Sequence, residues 1–201
     1  SGSGSVTKQN AGTLIVTGPN TYSGGTTVSG GTLQGNTTSL QGDIENNATV
    51  VFDQETTGTY TGVISGTGDV IKENAGTLVL RGANTYSGET KVNAGALQAN
   101  TTNLLGDIVN NATLIFDQAN DGTYTGAISG PGSVTKLNVG TLVFTGPNNY
   151  SGGTTVSGGI LQGDTTSLTG DIINNATVVF NQASEGTYAG IISGTGSVTK
   201  Q

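Results

Sequence analysis

The sequence predicts an all-β chain wound as a single-stranded, right-handed parallel β-helix. First, the pattern of residues 1–64 recurs without a gap, and the first and third copies are identical at most positions. Second, short clusters of Thr, Val, Ile, Leu and Phe recur between Gly, Asn and Ser, as expected of short strands joined by turns. Third, no segment keeps the apolar period of a helix, so we expect almost no helix.

The repeats occupy residues 1–64, 65–128 and 129–192, and a partial fourth copy occupies 193–201. A fixed period of this length is typical of a solenoid, in which each unit buries its apolar face on its neighbours. We therefore expect residues 1–201 to form one continuous β-helix array. Because the chain has no Met and carries SVTKQ near both ends, we expect it to be an internal part of a longer array.

Each copy is expected to contain about three rungs, each made of three short strands. In the first copy the rungs begin near positions 26, 43 and 61, and the next copy resumes near position 90, so the third rung is the longest. This long rung corresponds to the segment that contains GPNTYSGG (18–25), which we interpret as a protruding loop. Strands of successive rungs should pair in parallel about 4.8 Å apart, so roughly nine rungs form a rod about 45 Å long.

Substitutions between copies predict which side chains face inward. Thr27 becomes Lys91 in the second copy, so this position should face the solvent. Val28 stays apolar and should face the interior, because side chains alternate along a strand. The same alternation predicts an inward set of Thr26, Leu14, Val16, Ala48, Val50, Phe52, Ala112, Leu114 and Phe116. It leaves three aliphatic side chains outside: Ile15, Val79 and Val143.

Charge and hydropathy exclude two classes of partner. The net charge is −7, and the six basic residues are scattered without a basic stripe, so we expect no nucleic-acid partner. No apolar run is long enough to cross a bilayer, so we expect no membrane insertion by this chain.

The residue types needed for most catalysis are missing. The chain has no His and no Cys, which removes histidine triads, cysteine nucleophiles and nearly every zinc site. Asp43, Asp107 and Asp171 recur one copy apart, too far from one another for two-carboxylate glycoside hydrolysis. The calcium-binding nonapeptide pattern is also absent. We therefore expect no enzyme activity, no cofactor and no metal.

Paired asparagines recur at Asn46-Asn47, Asn110-Asn111 and Asn174-Asn175. They lie in an N-A-T sequon, so a glycan is one interpretation. The favoured interpretation is that they occupy a turn and cap it with side-chain hydrogen bonds, because Asn tolerates left-handed turns.

An Asn and a Tyr recur together in the predicted loop of each copy. One interpretation is a spaced aromatic row that contacts a glycan or protein. The other, which we favour, is that each Tyr folds back and packs on its own loop. The candidate binding residues are Asn20, Tyr22, Asn84, Tyr86, Asn148 and Tyr150.

One segment of each copy resembles a known motif. GTLVLRGANTYSGETKVNAGALQ (76–98) resembles the autotransporter-associated β-strand repeat of bacterial type V secretion passengers, and residues 12–34 and 140–162 match it. The resemblance implies a parallel β-helix passenger on the bacterial cell surface or secreted. Such passengers are mostly adhesins, aggregation factors or rigid stalks, and the family has no shared catalytic residues to transfer.

The function we expect is therefore structural: a non-catalytic stalk or adhesin that promotes attachment or self-association, end to end or side by side. A host or matrix protein or a glycan is a possible partner. The first alternative is a specific glycan- or protein-binding module that acts through the Tyr loops. A third is a fragment of a polysaccharide-acting enzyme.

Overall fold

A computed structural model describes residues 2–201 and confirms an all-β, parallel β-solenoid of about ten turns. No helix occurs in these residues. The strands are β1 (Val6–Lys8), β2 (Thr13–Ile15), β3 (Thr26–Val28), β4 (Thr32–Gly35), β5 (Ile44–Asn46), β6 (Thr49–Asp53), β7 (Gly58–Tyr60), β8 (Ile64–Ser65), β9 (Asp69–Glu73), β10 (Thr77–Leu80), β11 (Thr90–Val92), β12 (Ala96–Ala99), β13 (Ile108–Asn110), β14 (Thr113–Asp117), β15 (Gly122–Tyr124), β16 (Ile128–Ser129), β17 (Ser133–Leu137), β18 (Thr141–Phe144), β19 (Thr154–Val156), β20 (Ile160–Gly163), β21 (Ile172–Asn174), β22 (Thr177–Phe180), β23 (Ile192–Ser193) and β24 (Ser197–Lys200).

Each turn of the coil has three sides, and each side is a ladder of parallel strands. Side 1 begins with β1-β3-β5-β8 and continues as β15-β18-β20-β22-β24. Residues 84–87 and 100–105 bridge these two sheets, because Thr85 N–H donates to Ile64 O and Asn84 Nδ2 donates to Asn103 O. Side 2 is β2-β4-β6-β9-β11-β13-β16, and side 3 is β7-β10-β12-β14-β17-β19-β21-β23.

The sequence repeat and the structural turn have different lengths. Strand register pairs Leu33 with Val50 and Val50 with Val70, so each turn is less than a third as long as a sequence copy. About ten turns therefore cover three copies, and each copy advances by three and one third turns. Equivalent strands accordingly move from side to side: β1 lies on side 1, β9 on side 2, β17 on side 3 and β24 on side 1 again.

The predicted long rung with a protruding loop at 18–25 is wrong. The equivalent residues 84–87 form a full side of the coil, and every turn has a similar length. Asn84 makes this possible, because its Oδ1 accepts the Ile64 N–H at 2.8 Å where a strand would supply a carbonyl. The sequence suggested a loop because Asn, Ser and Gly have low strand propensity.

The predicted inward set is confirmed along the interior. Val28, Leu114 and Phe116 have no exposed surface, and Phe116 packs edge to face on Tyr124 and Phe144 with ring centroids 5.2 and 5.3 Å apart. Leu14 is the exception at 39% exposed, because β2 is the edge strand of its sheet.

The predicted outward residues differ in exposure. Ile15 is 57% exposed, Val143 is half-buried and Val79 is only 7% exposed. Val79 faces outward, but it is flanked in register by Thr59 and Gln98 on the neighbouring strands. Coverage therefore depends on the neighbouring side chains, since Ile173, outward on β21 between Thr155 and Ser193, is 50% exposed.

Glycine sets the spacing of the coil at one corner. A Cβ on Gly62 would overlap the carbonyl oxygen of Gly42, and one on Gly126 would overlap that of Gly106. Successive turns approach too closely here for any side chain, which explains why Gly recurs at this phase in each copy.

Candidate functional site

Tyr86 and Tyr150 point into the coil. They are 1% and 2% exposed, and their hydroxyl groups share hydrogen bonds of 2.7 and 2.6 Å with Thr90 Oγ1 and Thr154 Oγ1. Burial raises the pKa of Tyr150 to about 12, and it also raises the pKa of Tyr86. Both tyrosines therefore pack, but in the interior of the coil and not against a protruding loop of their own.

The asparagines beside these tyrosines tie successive turns together. Asn84 and Asn148 are buried, and each accepts one backbone N–H from the preceding turn and donates to one carbonyl of the following turn. Asn20 and Tyr22 in the first turns are half-buried, with Asn20 Nδ2 donating to Ser39 O and the Tyr22 hydroxyl bonded to Thr26 Oγ1. The three Asn–Tyr pairs lie on three different sides of the coil, so the structure does not bring them together as one row.

The recurrent Asn pairs occupy a corner, as predicted. Asn46 is fully buried; its Oδ1 accepts the Ala48 N–H at 3.1 Å and its Nδ2 donates to Asp69 O at 2.9 Å. Asn110 and Asn174 make the same two bonds in their copies. The prediction of capping turns is confirmed for this first Asn of each pair. The second, which begins the sequon, is exposed in all three copies: Asn47, Asn111 and Asn175.

The feature that the sequence reasoning missed is a set of internal lysines. Lys72 and Lys136 have no exposed surface and Lys8 has 6%, although lysine is almost never fully buried in proteins. Each ammonium group donates to three backbone carbonyl oxygens. For Lys72 these are Glu73 O at 2.7 Å, Asn74 O at 2.6 Å and Ala94 O at 3.1 Å.

Burial lowers the pKa of Lys72 and Lys136, because the interior disfavours the charged form. Nearby carboxylates, Glu73 and Asp53 for Lys72 and Asp117 for Lys136, act on the pKa in the opposite direction. The signal was present in the sequence, because the alternation that turns a Val inward also turns the Lys two positions later inward.

The recurrent carboxylates have structural partners. Asp43, Asp107 and Asp171 each accept a backbone N–H of the following turn at 2.8 Å. Residues 2–201 contain two ion pairs, Arg81–Asp117 at 3.1 Å and Lys91–Glu89 at 2.9 Å. No group of three or more acidic side chains in this range is arranged to hold a metal ion.

A cavity of about 550 Å³ lies at the last turn, lined by Phe180, Tyr188, Ile192 and Lys200 among others. Phe180 and Tyr188 pack edge to face there, 5.0 Å apart, as Phe52 and Tyr60 do within the coil. The cavity is therefore the inward face of that turn and has the same lining as the core.

Comparison with known proteins identifies three repeats at the spacing found above. Residues 6–34, 70–99 and 134–162 match the family described as passenger-associated-transport-repeat. In an alignment that covers 76% of this chain, the sequence is 36% identical to the adhesin BmaC autotransporter of Brucella suis biovar 1 (strain 1330). The chain spans about 5% of the length of that relative. No solved structure matches the chain.

Among residues 2–201 there is no helical segment with the length and hydropathy needed to cross a bilayer.

Proposed function

We propose that this chain, an autotransporter passenger segment that carries three passenger-associated transport repeats, is a non-catalytic rod that extends and presents an adhesive surface. A passenger of this class is displayed on the bacterial cell surface or secreted. The relative in Brucella suis is named an adhesin, and attachment of this chain to a host or matrix protein or a glycan is part of the proposal.

The observation that carries the stalk is the continuous hydrogen bonding between successive turns through all three copies. Parallel ladders join most successive turns, segments such as 84–87 join them where a side has no strand, and the same corner bonds recur in each copy. A solenoid of this kind gains stability by adding neighbouring units, so its length can grow without a change in cross-section. Each added copy lengthens the rod by about 16 Å, from three and one third turns at the strand spacing.

Self-association remains a prediction and belongs to the same proposal. Side-by-side contact through Ile15, Val79 and Val143 has less surface available than the sequence suggested, because Val79 is 7% exposed and Val143 is half-buried. End-to-end contact would use the edge strands of the first and last turns. Sedimentation velocity over a range of concentrations tests both routes, and a strictly monomeric rod at high concentration would contradict them.

The stalk and the adhesive surface are tested separately. Chains with two, three and four copies should show a maximum dimension in small-angle scattering that rises linearly, by about 16 Å per copy. Beads coated with the same chains should bind a panel of matrix proteins and glycans, or clump, more than bare beads do. A matched control is Gly126→Val, which disrupts the coil at a corner with no room for a side chain.

The two outcomes are independent. Linear growth without attachment would leave a stalk and remove the adhesive function. Attachment that persists in the Gly126→Val chain would show that the folded surface is not what binds.

A further inference from the structure

Three outward side chains of the second copy lie on successive turns, where β10, β12 and β14 end. They are Arg81, Asn100 and Asp117. The Arg81 side chain reaches past the turn of Asn100, and its Nη2 lies 3.1 Å from Asp117 Oδ2. Gln98 Nε2 donates to the same carboxylate oxygen at 2.9 Å. The second copy therefore fills this place on its surface with its own guanidinium group.

The third copy has the same place without an arginine. Thr145, Asp164 and Asn181 are the equivalent residues, and they lie one position past the ends of β18, β20 and β22. A cavity of about 200 Å³ lies there; its lining includes Thr145, Gln162, Asp164 and Asn181, with Phe144 and Gly163 buried beneath them. We call these four polar residues the Asp164 cleft. It is the space that Arg81 occupies in the second copy.

The carboxylate in this cleft has no countercharge. Each copy has one Asp among the two equivalent positions: Asp53 in the first, Asp117 in the second and Asp164 in the third. Within residues 2–201 the ion pairs are Arg81–Asp117 and Lys91–Glu89, so no cation of that range lies within 4.0 Å of Asp164. The net charge of the whole chain is −7, which favours a cationic ligand further.

Asp164 is held so that one of its carboxylate oxygens stays available. Its Oδ1 accepts the backbone N–H groups of Thr166 and Ser167, both at 2.9 Å, and the Thr166 hydroxyl at 2.7 Å. These bonds lower the pKa of Asp164 from its ordinary value of 3.8, and the bond from the Thr166 hydroxyl has the largest effect. The carboxylate is therefore ionised at neutral pH, and the bonds that hold its turn use Oδ1 and leave Oδ2 for a ligand.

The groups of the cleft match a ligand that only donates hydrogen bonds. Asp164 Oδ2 is an acceptor, and the side-chain amides of Gln162 and Asn181 each carry an acceptor oxygen. A guanidinium group is flat, permanently charged and has five N–H donors, so it can reach several of these oxygens at once. An ammonium group is a compact point charge with three donors and fits such a spread of acceptors less well.

We propose that the Asp164 cleft binds a guanidinium group, that of an arginine side chain on a partner protein. The second copy provides the precedent, because a guanidinium group lies at the equivalent place. Arg81 is the single arginine of the sequence and is already paired with Asp117, so the occupant comes from a different protein and not from a second copy of this chain. The inference rests on the proposed adhesive surface only in taking an attached protein as the partner.

The test is an NMR titration of the isotope-labelled chain with a capped arginine. Capped citrulline is the matched ligand, because it replaces the charged guanidinium group by a neutral urea of the same shape. Arginine should shift the side-chain amide signals of Gln162 and Asn181 in a saturable way, and citrulline should not. Capped lysine should bind more weakly than arginine. No shift with arginine, or equal binding of citrulline or lysine, would overturn the proposal.

Two variants locate the binding. Asp164→Asn removes the charge and keeps the turn, because Asn100 holds this position in the second copy and its Oδ1 accepts the Thr102 N–H at 2.8 Å. It should weaken arginine binding by about tenfold, since the charged acceptor is lost. The matched control is Glu45→Gln, which removes an exposed carboxylate elsewhere and should leave the titration unchanged. Equal binding by the native chain and Asp164→Asn would contradict the assignment.

The second variant, T145R/D164N/N181D, reproduces all three residues of the second copy. Its own arginine should fill the cleft and abolish the shifts produced by added arginine, while its circular dichroism spectrum stays native. Undiminished binding by this folded variant would overturn the proposal.

The titration and the bead experiment fail separately. Arginine binding without attachment of coated beads would keep the cleft and remove the adhesive function. Attachment without arginine binding would remove the cleft and keep the adhesive function.

Discussion

The inward columns and the corners of the coil hold successive turns together in different ways. The columns are apolar and keep the same residue at most positions in all three copies, and where they vary the exchange stays apolar, as with Val16, Leu80 and Phe144 at one equivalent position. The corners are polar and do not vary: Asn46, Asn110 and Asn174 make the same bonds, as do the internal lysines.

The difference indicates a division of roles. Burial of apolar area is roughly proportional to the area removed from water, so a column position can exchange one apolar side chain for another that fills the same space. A buried amide or ammonium group must form hydrogen bonds with specific partners, so each corner fixes which residues of neighbouring turns lie side by side. The columns supply stability, and the corners set the register between turns.

Phe116→Ala should have the largest effect, because it removes a fully buried ring that packs on Tyr124 and Phe144. We expect a loss of about 3–5 kcal/mol in the free energy of unfolding, measured by urea denaturation. The outward neighbour Ile115→Ala is the control and should cost much less. Similar losses for both variants would mean that the facing of β14 is misassigned.

Asn110→Ala measures how much a corner amide contributes to stability, for comparison with the column residue Phe116. It leaves the Ala112 N–H and the Ser133 carbonyl without their side-chain partner at a buried position. The expected loss is about 1–3 kcal/mol, the cost of unpaired buried polar groups. The exposed neighbour Asn111→Ala should change stability little, and an equal loss there would remove the special role given to the buried amide.

Tyr124→Phe isolates one hydrogen bond that joins a column to a corner. The Tyr124 hydroxyl donates to Gly106 O at 2.5 Å, and its loss should cost about 1 kcal/mol at pH 7. Burial raises the pKa of Tyr124 well above the ordinary value of 10.0, so the folded chain keeps this proton at a pH where the unfolded chain loses it. Stability should therefore fall as pH rises above about 10, and less steeply in the variant. Identical alkaline slopes for the two chains would contradict this assignment.

Arg81→Thr should have the smallest effect. Arg81 pairs with Asp117, but its side chain is 52% exposed, and the third copy has Thr145 at this position. We expect a loss below about 1 kcal/mol that shrinks further in high salt. Lys91→Thr is a parallel case, because Thr27 and Thr155 occupy that position in the other copies. A larger loss of stability for Arg81→Thr would contradict this expectation and would mean that the exposed Arg81–Asp117 ion pair contributes substantially to folding.

The sequence by itself determined the solenoid, the parallel strands and the facing of most residues. A gapless period and a strict inward–outward alternation are local patterns, and a buried interior leaves only one phase for each strand. Asn110 was predicted at a corner for the same reason, because a turn residue that bonds its own backbone needs no distant partner.

Only the tertiary structure decided the length of a turn and the place of the lysines. Asn84 completes a side of the coil with amide bonds to Ile64 and Asn103, one turn away in each direction, and no local pattern shows such partners. Lys72 is buried because carbonyls from two successive turns converge on its ammonium group. These carbonyl groups come together only when successive turns of the coil stack. The sequence therefore shows the lysine charge but not the hydrogen-bond acceptors that allow its burial.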